Sequence, residues 1–180
     1  MEHGSMSSIA ELQEIEKLVT RAVEGDEEAL EEISVETLAL MMCSERIAEL
    51  EAQTKEEFEN LKERQSQVRF LHKLLKAINA TTSSKDEIDW SQDEELKSML
   101  DQAREMGIDI PEGYTFNKEN KTRLVENIKM TVDDLNIENE MQLQTISRLT
   151  NERYEAYQMA RSIIKPLHED KINKARKIAG

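Results

Sequence analysis

Few residues in this chain have the type and spacing that chemistry needs. Metal binding requires imidazoles, thiolates or carboxylates converging on one point. The histidines are His3, His72 and His168, widely scattered, and the single cysteine is Cys43. His72 and His168 meet only if the long helices pair far out of the register their apolar residues prescribe, so no metal site is expected. Cys43 has no partner for an intrachain disulfide and lies in the apolar run 38–43, which reads as a small buried hydrophobe rather than a reactive thiol. Acid–base catalysis needs carboxylates whose pKa values are driven apart by a cleft. Adjacent acids such as Glu27 with Glu28 and Glu56 with Glu57 are abundant, but they read as solvated helix faces. A glycine-rich phosphate loop and a nucleophile set beside a base are both missing. The expectation is a protein that is not an enzyme and uses no cofactor.

The informative polar residues are those that interrupt apolar ladders. One ladder runs Leu40, Cys43, Ile47, Leu50, Thr54, Glu57, Leu61, Arg64, Val68, Leu71, Leu75, Ile78. A second runs Val125, Ile128, Val132, Leu135, Asn139, Gln142, Ile146, Leu149, Arg153, Ala156, Ala160, Ile163, Leu167. Both step by alternating threes and fours, the rhythm of a helix presenting a narrow seam to a partner. If the two are antiparallel with Leu40 near Leu167, then Thr54 and Glu57 fall near Arg153, and Arg64 falls near Gln142 and Asn139. A parallel pairing instead brings Arg64 near Leu149 and strands a charge against leucine. Matched seam polar residues fix register at a cost in stability, so Glu57, Arg64, Asn139, Gln142 and Arg153 are the candidate register residues. The competing reading is that they are exposed where the seam drifts on a straight helix.

The elements that must carry these ladders follow from composition. Hydrophobic residues are 38% of the 180 and charged residues 34%, which supplies a thin seam with a large solvated surface better than a compact core. Two prolines and five glycines leave few helix breaks, so the fold is expected to be all-α. Formal charge is -14. Over 8–63 there are 17 acidic and 5 basic side chains, whereas 171–180 holds Lys171, Lys174, Arg176 and Lys177 and no acid. An acidic body repels phosphate backbones, so nucleic acid is not an expected partner. The basic end has a simple reading as cations favoured near a helix C-terminus. No run reaches the length of a membrane span, and no secretory leader pattern opens the chain.

Along the chain, 1–6 reads as an expression scar and 7–34 as acidic N-terminal helices, the first capped by Ser7 or Ser8, with Gly25 a stop and Asp26 a new cap. The first long coiled-coil helix is expected over 35–80. An insertion over 81–116 follows, with a short helix opened by a Ser91–Glu94 capping box and stopped by Gly107. Residues 108–116 alternate apolar and polar around a turn, extended but too short for a sheet of their own. Asn117 caps the terminal long helix, 117–180, kinked by Pro166 after Lys165. The methionines Met41, Met42, Met99, Met106, Met130, Met141 and Met159 read as core fillers, with a promiscuous groove as the alternative. The whole is an all-α fold: an elongated antiparallel coiled-coil hairpin with short N-terminal helices and a small helical and loop insertion.

The order of parts also carries a resemblance. A Met-rich apolar opening, 38–43, leads into a charged coil containing Leu71-His-Lys-Leu-Leu-Lys-Ala-Ile-Asn79. A short helix then precedes Gly107-Ile-Asp-Ile-Pro-Glu-Gly113, and a long terminal helix carries Met141-Gln-Leu-Gln-Thr-Ile-Ser-Arg-Leu149. This resembles the hydrophilic translocators of bacterial type III secretion, the EspA- and SseB-like filament proteins and the IpaD-, SipD- and LcrV-like needle-tip proteins. The resemblance implies a secreted or bacterial-surface virulence protein, a needle-tip or filament protomer that binds itself, the needle or other translocators, and a chaperone. It places the assembly surface on the terminal helix, at Gln142, Ile146, Leu149, Ile163, Leu167, Ile172 and Ile178. The dense charge and small insertion of this chain depart from the family pattern. The alternative is a cytoplasmic coiled-coil adaptor, regulator or chaperone that binds partners through its acidic helices.

Overall fold

A computed structural model describes the backbone of residues 3–32 and 34–179, and the side chains of 10, 13–32, 34–166, 169, 173 and 175–179. The fold is an all-α hairpin, 83% helical, in which two long helices pack against each other. In order come α1 (His3–Val23), α2 (Glu27–Glu32), α3 (Val35–Thr81), β1 (Ile88–Asp89), α4 (Glu94–Glu105), β2 (Thr115–Phe116) and α5 (Lys118–Ala179). At 47 residues, α3 makes about 13 helical turns. The chain divides into two compact units, Glu57–Thr145 and Met1–Glu56 with Ile146–Gly180.

In the unit Glu57–Thr145, α3 and α5 run antiparallel, with Leu61, Leu71 and Ile78 of α3 and Ile128, Val132 and Gln142 of α5 buried. The insertion gives this unit a core thicker than the thin seam that composition led us to expect. Ile88, Trp90, Met99, Leu100, Ala103, Ile108, Ile110 and Phe116 all join the ladder residues there, together with Leu74 and Leu124. Leu74 and Leu124 stand one step outside the seam and are buried in the same cluster as Met99, Leu100 and Ala103 of α4 and Phe116 of β2. The alternating stretch finds its strand partner in Ile88–Asp89: β1 and β2 pair antiparallel, Ile88 opposite Phe116 and Asp89 opposite Thr115.

Local chemistry sets the ends of these elements. Asp93, rather than Ser91, caps α4, its carboxylate accepting from the Leu96 amide. Ser91 is already engaged, its amide and hydroxyl both donating to Asp89, which also accepts from the Thr115 hydroxyl. Those three donors hold the Asp89 carboxyl below its ordinary pKa. At the other end of α4, the amide of Gly107 donates to Arg104 O and that of Ile108 to Ala103 O, a Schellman closure made possible by φ +85° at Gly107. Asn117 caps α5 as its type suggests, accepting from the Asn120 amide. Trp90 is 1% exposed. Its indole N–H donates to the Thr81 hydroxyl at 2.9 Å, so the ring is buried with its one polar atom satisfied.

In the second unit, α1 is helical from His3, so residues 3–6 belong to the helix rather than lying outside it. No proline intervenes between His3 and Ser8, and a capping pair permits a helix start without forcing one. Gly25, at φ +96°, ends the turn after α1. Asp26 then caps α2, accepting from the Glu28 and Ala29 amides. Leu40 and Cys43 of α3 pack with Ala160 of α5, and Ile15 of α1 joins Ile163 and Ile164 around them. α5 continues through Pro166 as one helix.

Candidate functional site: a polar layer and an exposed helix face

Four of the five register residues lie in the unit Glu57–Thr145, on the facing sides of α3 and α5. Gln142 is 9% exposed. Its amide nitrogen donates to Glu57 Oε2 at 2.8 Å. Its carbonyl oxygen accepts from Arg64 Nη1, and Arg64 Nε lies 3.0 Å from Glu138 Oε2. The result is a relay of Glu57, Gln142, Arg64 and Glu138 in which one neutral amide separates two opposite charges and hydrogen-bonds both. Asn139 is half-buried beside it, and its Oδ1 is buried with no hydrogen-bond partner among the described residues.

Arg153 stands elsewhere. In the unit containing Met1–Glu56 it is exposed and pairs with Glu51, Nε to Oε1 at 2.9 Å. The expected pairing of Arg153 with Thr54 and Glu57 is therefore corrected: the partner on α3 lies one turn earlier, and Thr54 donates to its own helix at Leu50 O. Anchoring the register on Leu40 with Leu167 set it about a turn too far, since apolar ladders repeat and do not by themselves choose among neighbouring registers. A second cross-helix pair, Arg46 with Glu152 at 3.1 Å, agrees with the shifted register. Glu138, Glu51, Arg46 and Glu152 were not singled out from sequence because they flank the seam instead of interrupting it.

The assembly residues on α5 divide. Gln142, Ile146 and Leu149 are buried, and Ile163 is half-buried beside Leu40 and Cys43. The side chains of Leu167 and Ile172 lie outside the described residues. Ile178 is 87% exposed. Gln142, Ile146 and Leu149 thus belong to the inner seam, because the heptad positions that face α3 are the same positions a coiled-coil partner would use.

The methionines are corrected as well. Met99 is buried and Met41 and Met106 half-buried, but Met42, Met130, Met141 and Met159 are exposed. With Ile137, the residues Met130 and Met141 step by seven and four, which puts them on one line of α5 at 100° per residue. That line falls on the face away from Ile128, Val132 and Leu135. The signal is present in the sequence as a second apolar phase, interrupted by Asp134 in its midst.

No family model, curated protein or solved structure matches the chain. No described helix is long and apolar enough to cross a membrane. Among the described residues no group of three or more His, Cys, Asp or Glu is placed to hold a metal ion. Cys43 is buried, and burial pushes its thiol pKa up, the opposite of what thiolate chemistry needs. The richest polar cluster outside the layer surrounds Tyr114, whose hydroxyl donates to the Asp101 carboxylate at 2.9 Å. Lys97 and Arg104 stand 5.0 and 5.3 Å from its ring centroid. Arg104 also donates to Pro111 O and Gly113 O, so the cluster ties the loop before β2 to α4. Its chemistry is that of a fastening.

Proposed function

We propose that the chain is a non-enzymatic assembly protein of a type III secretion apparatus, a needle-tip or filament protomer exported through the needle and acting at the bacterial surface or beyond it. The observation that supports this reading is the antiparallel packing of α3 and α5 with a small insertion between them in sequence, as the resemblance implies a long antiparallel coiled coil carrying small variable insertions. A hairpin whose register is fixed by an internal polar relay keeps one outer surface for a partner, which is what a protomer needs. The test is export. Expressed in a bacterium with an active type III apparatus, the chain should reach the culture supernatant, and in an isogenic strain lacking the export ATPase it should stay in the cells. Retention in both strains overturns the reading.

A second reading, a cytoplasmic adaptor or chaperone, draws on the acidic surface of α2, where Glu27, Glu28, Glu31 and Glu32 are all exposed. It requires a basic or cationic-faced protein partner. Retention in both strains, together with co-purification of such a partner that is lost on Glu→Gln exchange in α2, favours it.

A further inference from the structure

We propose that copies of this chain associate head to tail, the basic end of α5 in one copy docking on the acidic-edged face formed by Met130, Ile137 and Met141 on α5 of another. The inference rests on the assembly reading and names the partner, a second copy. The three apolar side chains are 64%, 55% and 63% exposed and lie in one line, with the exposed Asp134 between Met130 and Ile137, so the strip is apolar with a carboxylate set into it. Methionine's flexible thioether suits such a strip to a docked helix.

Charge selects the occupant. Between Glu126 and Met141 the helix carries five acids and one base, Lys129. Of these, Asp133, Asp134 and Glu140 are exposed around the strip. The segment 171–178 of the same helix carries the opposite balance, four cations and no acid, with Ile172, Ala175 and Ile178 stepping by threes along it. Both segments lie on the same helix, Lys118–Ala179, and the contact joins the tail of one copy to the strip of another. Such a contact is heterologous: a docked pair keeps one unused strip and one unused tail, and the association propagates as a ring or filament instead of closing as a two-fold dimer.

Sedimentation of the full chain tests this. At ~50 mM salt the weight-average mass should rise with concentration above the 20.8 kDa monomer, to at least about twofold, and return to monomer at ~0.5 M salt as the charges are screened. A strip variant, Ile137→Glu with Met141→Glu, and a tail variant, Arg176→Glu with Lys177→Glu, should each be monomeric; all four side chains are exposed. Both change exposed faces, and unchanged circular dichroism identifies folded samples. Mixing the two is decisive: the strip variant still has a tail and the tail variant still has a strip, so the mixture should form a dimer and nothing larger. A monomeric wild type at low salt, assembly by either single variant, or a mixture that stays monomeric overturns the proposal. Export is read separately, so the secretion reading and this contact fail independently.

Discussion

Gln142 is the residue that a seam of leucines would not choose, and its two hydrogen bonds explain its place. Its amide meets Glu57 on one side and Arg64 on the other. Gln142→Leu should therefore cost about 1–3 kcal/mol, because it leaves two half-buried charges without their partner. Urea denaturation of Gln142→Leu, Arg64→Ala and the double variant should show a coupling of roughly 0.5–3 kcal/mol. Glu57 and Arg153, which the apolar pattern placed together, have different partners and should be additive within about 0.5 kcal/mol. A coupled Glu57–Arg153 cycle would restore the register that the sequence suggested. Acid sensitivity is also settled residue by residue. Arg21 holds the Asp26 carboxyl below its ordinary range, Lys121 does so for Asp86, and the Ser91 hydroxyl for Asp89. A carboxyl with a lowered folded pKa binds fewer protons folded than unfolded. Its contribution is complete above the unfolded value of about 3.9 and is lost as pH falls through the folded one. Asp89→Asn should make the acid limb of the stability curve shallower; an unchanged limb would show that Asp89 does not contribute to it.

Among the elements, the boundaries are decided by side chains that compete for the same backbone amides. Ser91 and Asp93 are both good caps, but Ser91 is drawn into a turn by Asp89, so Asp93 takes the helix. Asp93→Ala should cost about 1 kcal/mol by loss of the cap. Ser91→Ala should instead loosen the link between Asp89 and its turn, with α4 retaining its start; hydrogen exchange of the Leu96 amide distinguishes the two. At Gly107 a Cβ would meet nothing within 4 Å, so the whole cost of Gly107→Ala comes from φ +85°. That cost is about 1–2 kcal/mol. No loss of stability in Gly107→Ala would mean that the Schellman turn has a second conformation available.

For the molecule as a whole, the two units differ in what holds them. Among the described residues, the unit Glu57–Thr145 has a core of fourteen buried residues that includes Trp90 and Phe116, whereas the cluster around Leu40 in the other unit has three. Local opening free energy follows buried apolar contact. Amides around Leu71, Leu100 and Ile128 should therefore exchange most slowly, and those of α1 and α2 earliest. Trp90 fluorescence should report a later unfolding midpoint than helicity at 222 nm; coincident midpoints would show that the chain unfolds in one step. Trp90→Ala, which empties the largest buried side chain of this core, should cost about 3–5 kcal/mol.

The sequence by itself determined the helices and their facing sides. Every α3 ladder position from Leu40 to Ile78 is at least half-buried, and among the described α5 ladder positions only Arg153 is exposed. Periodicity carries this much because burial on a helix repeats with the turn of its backbone. It does not carry register, since shifting one heptad ladder by a turn leaves nearly the same apolar pairs, and the polar pairs across the seam, Gln142 with Glu57 and Arg153 with Glu51, distinguish the alternatives. Nor does it carry the compact core of the insertion, where Ile88 meets Phe116 and Trp90 reaches Thr81. Those contacts join short segments far apart in the chain, each too brief for a period of its own, and they exist only once α3 and α5 bring them together.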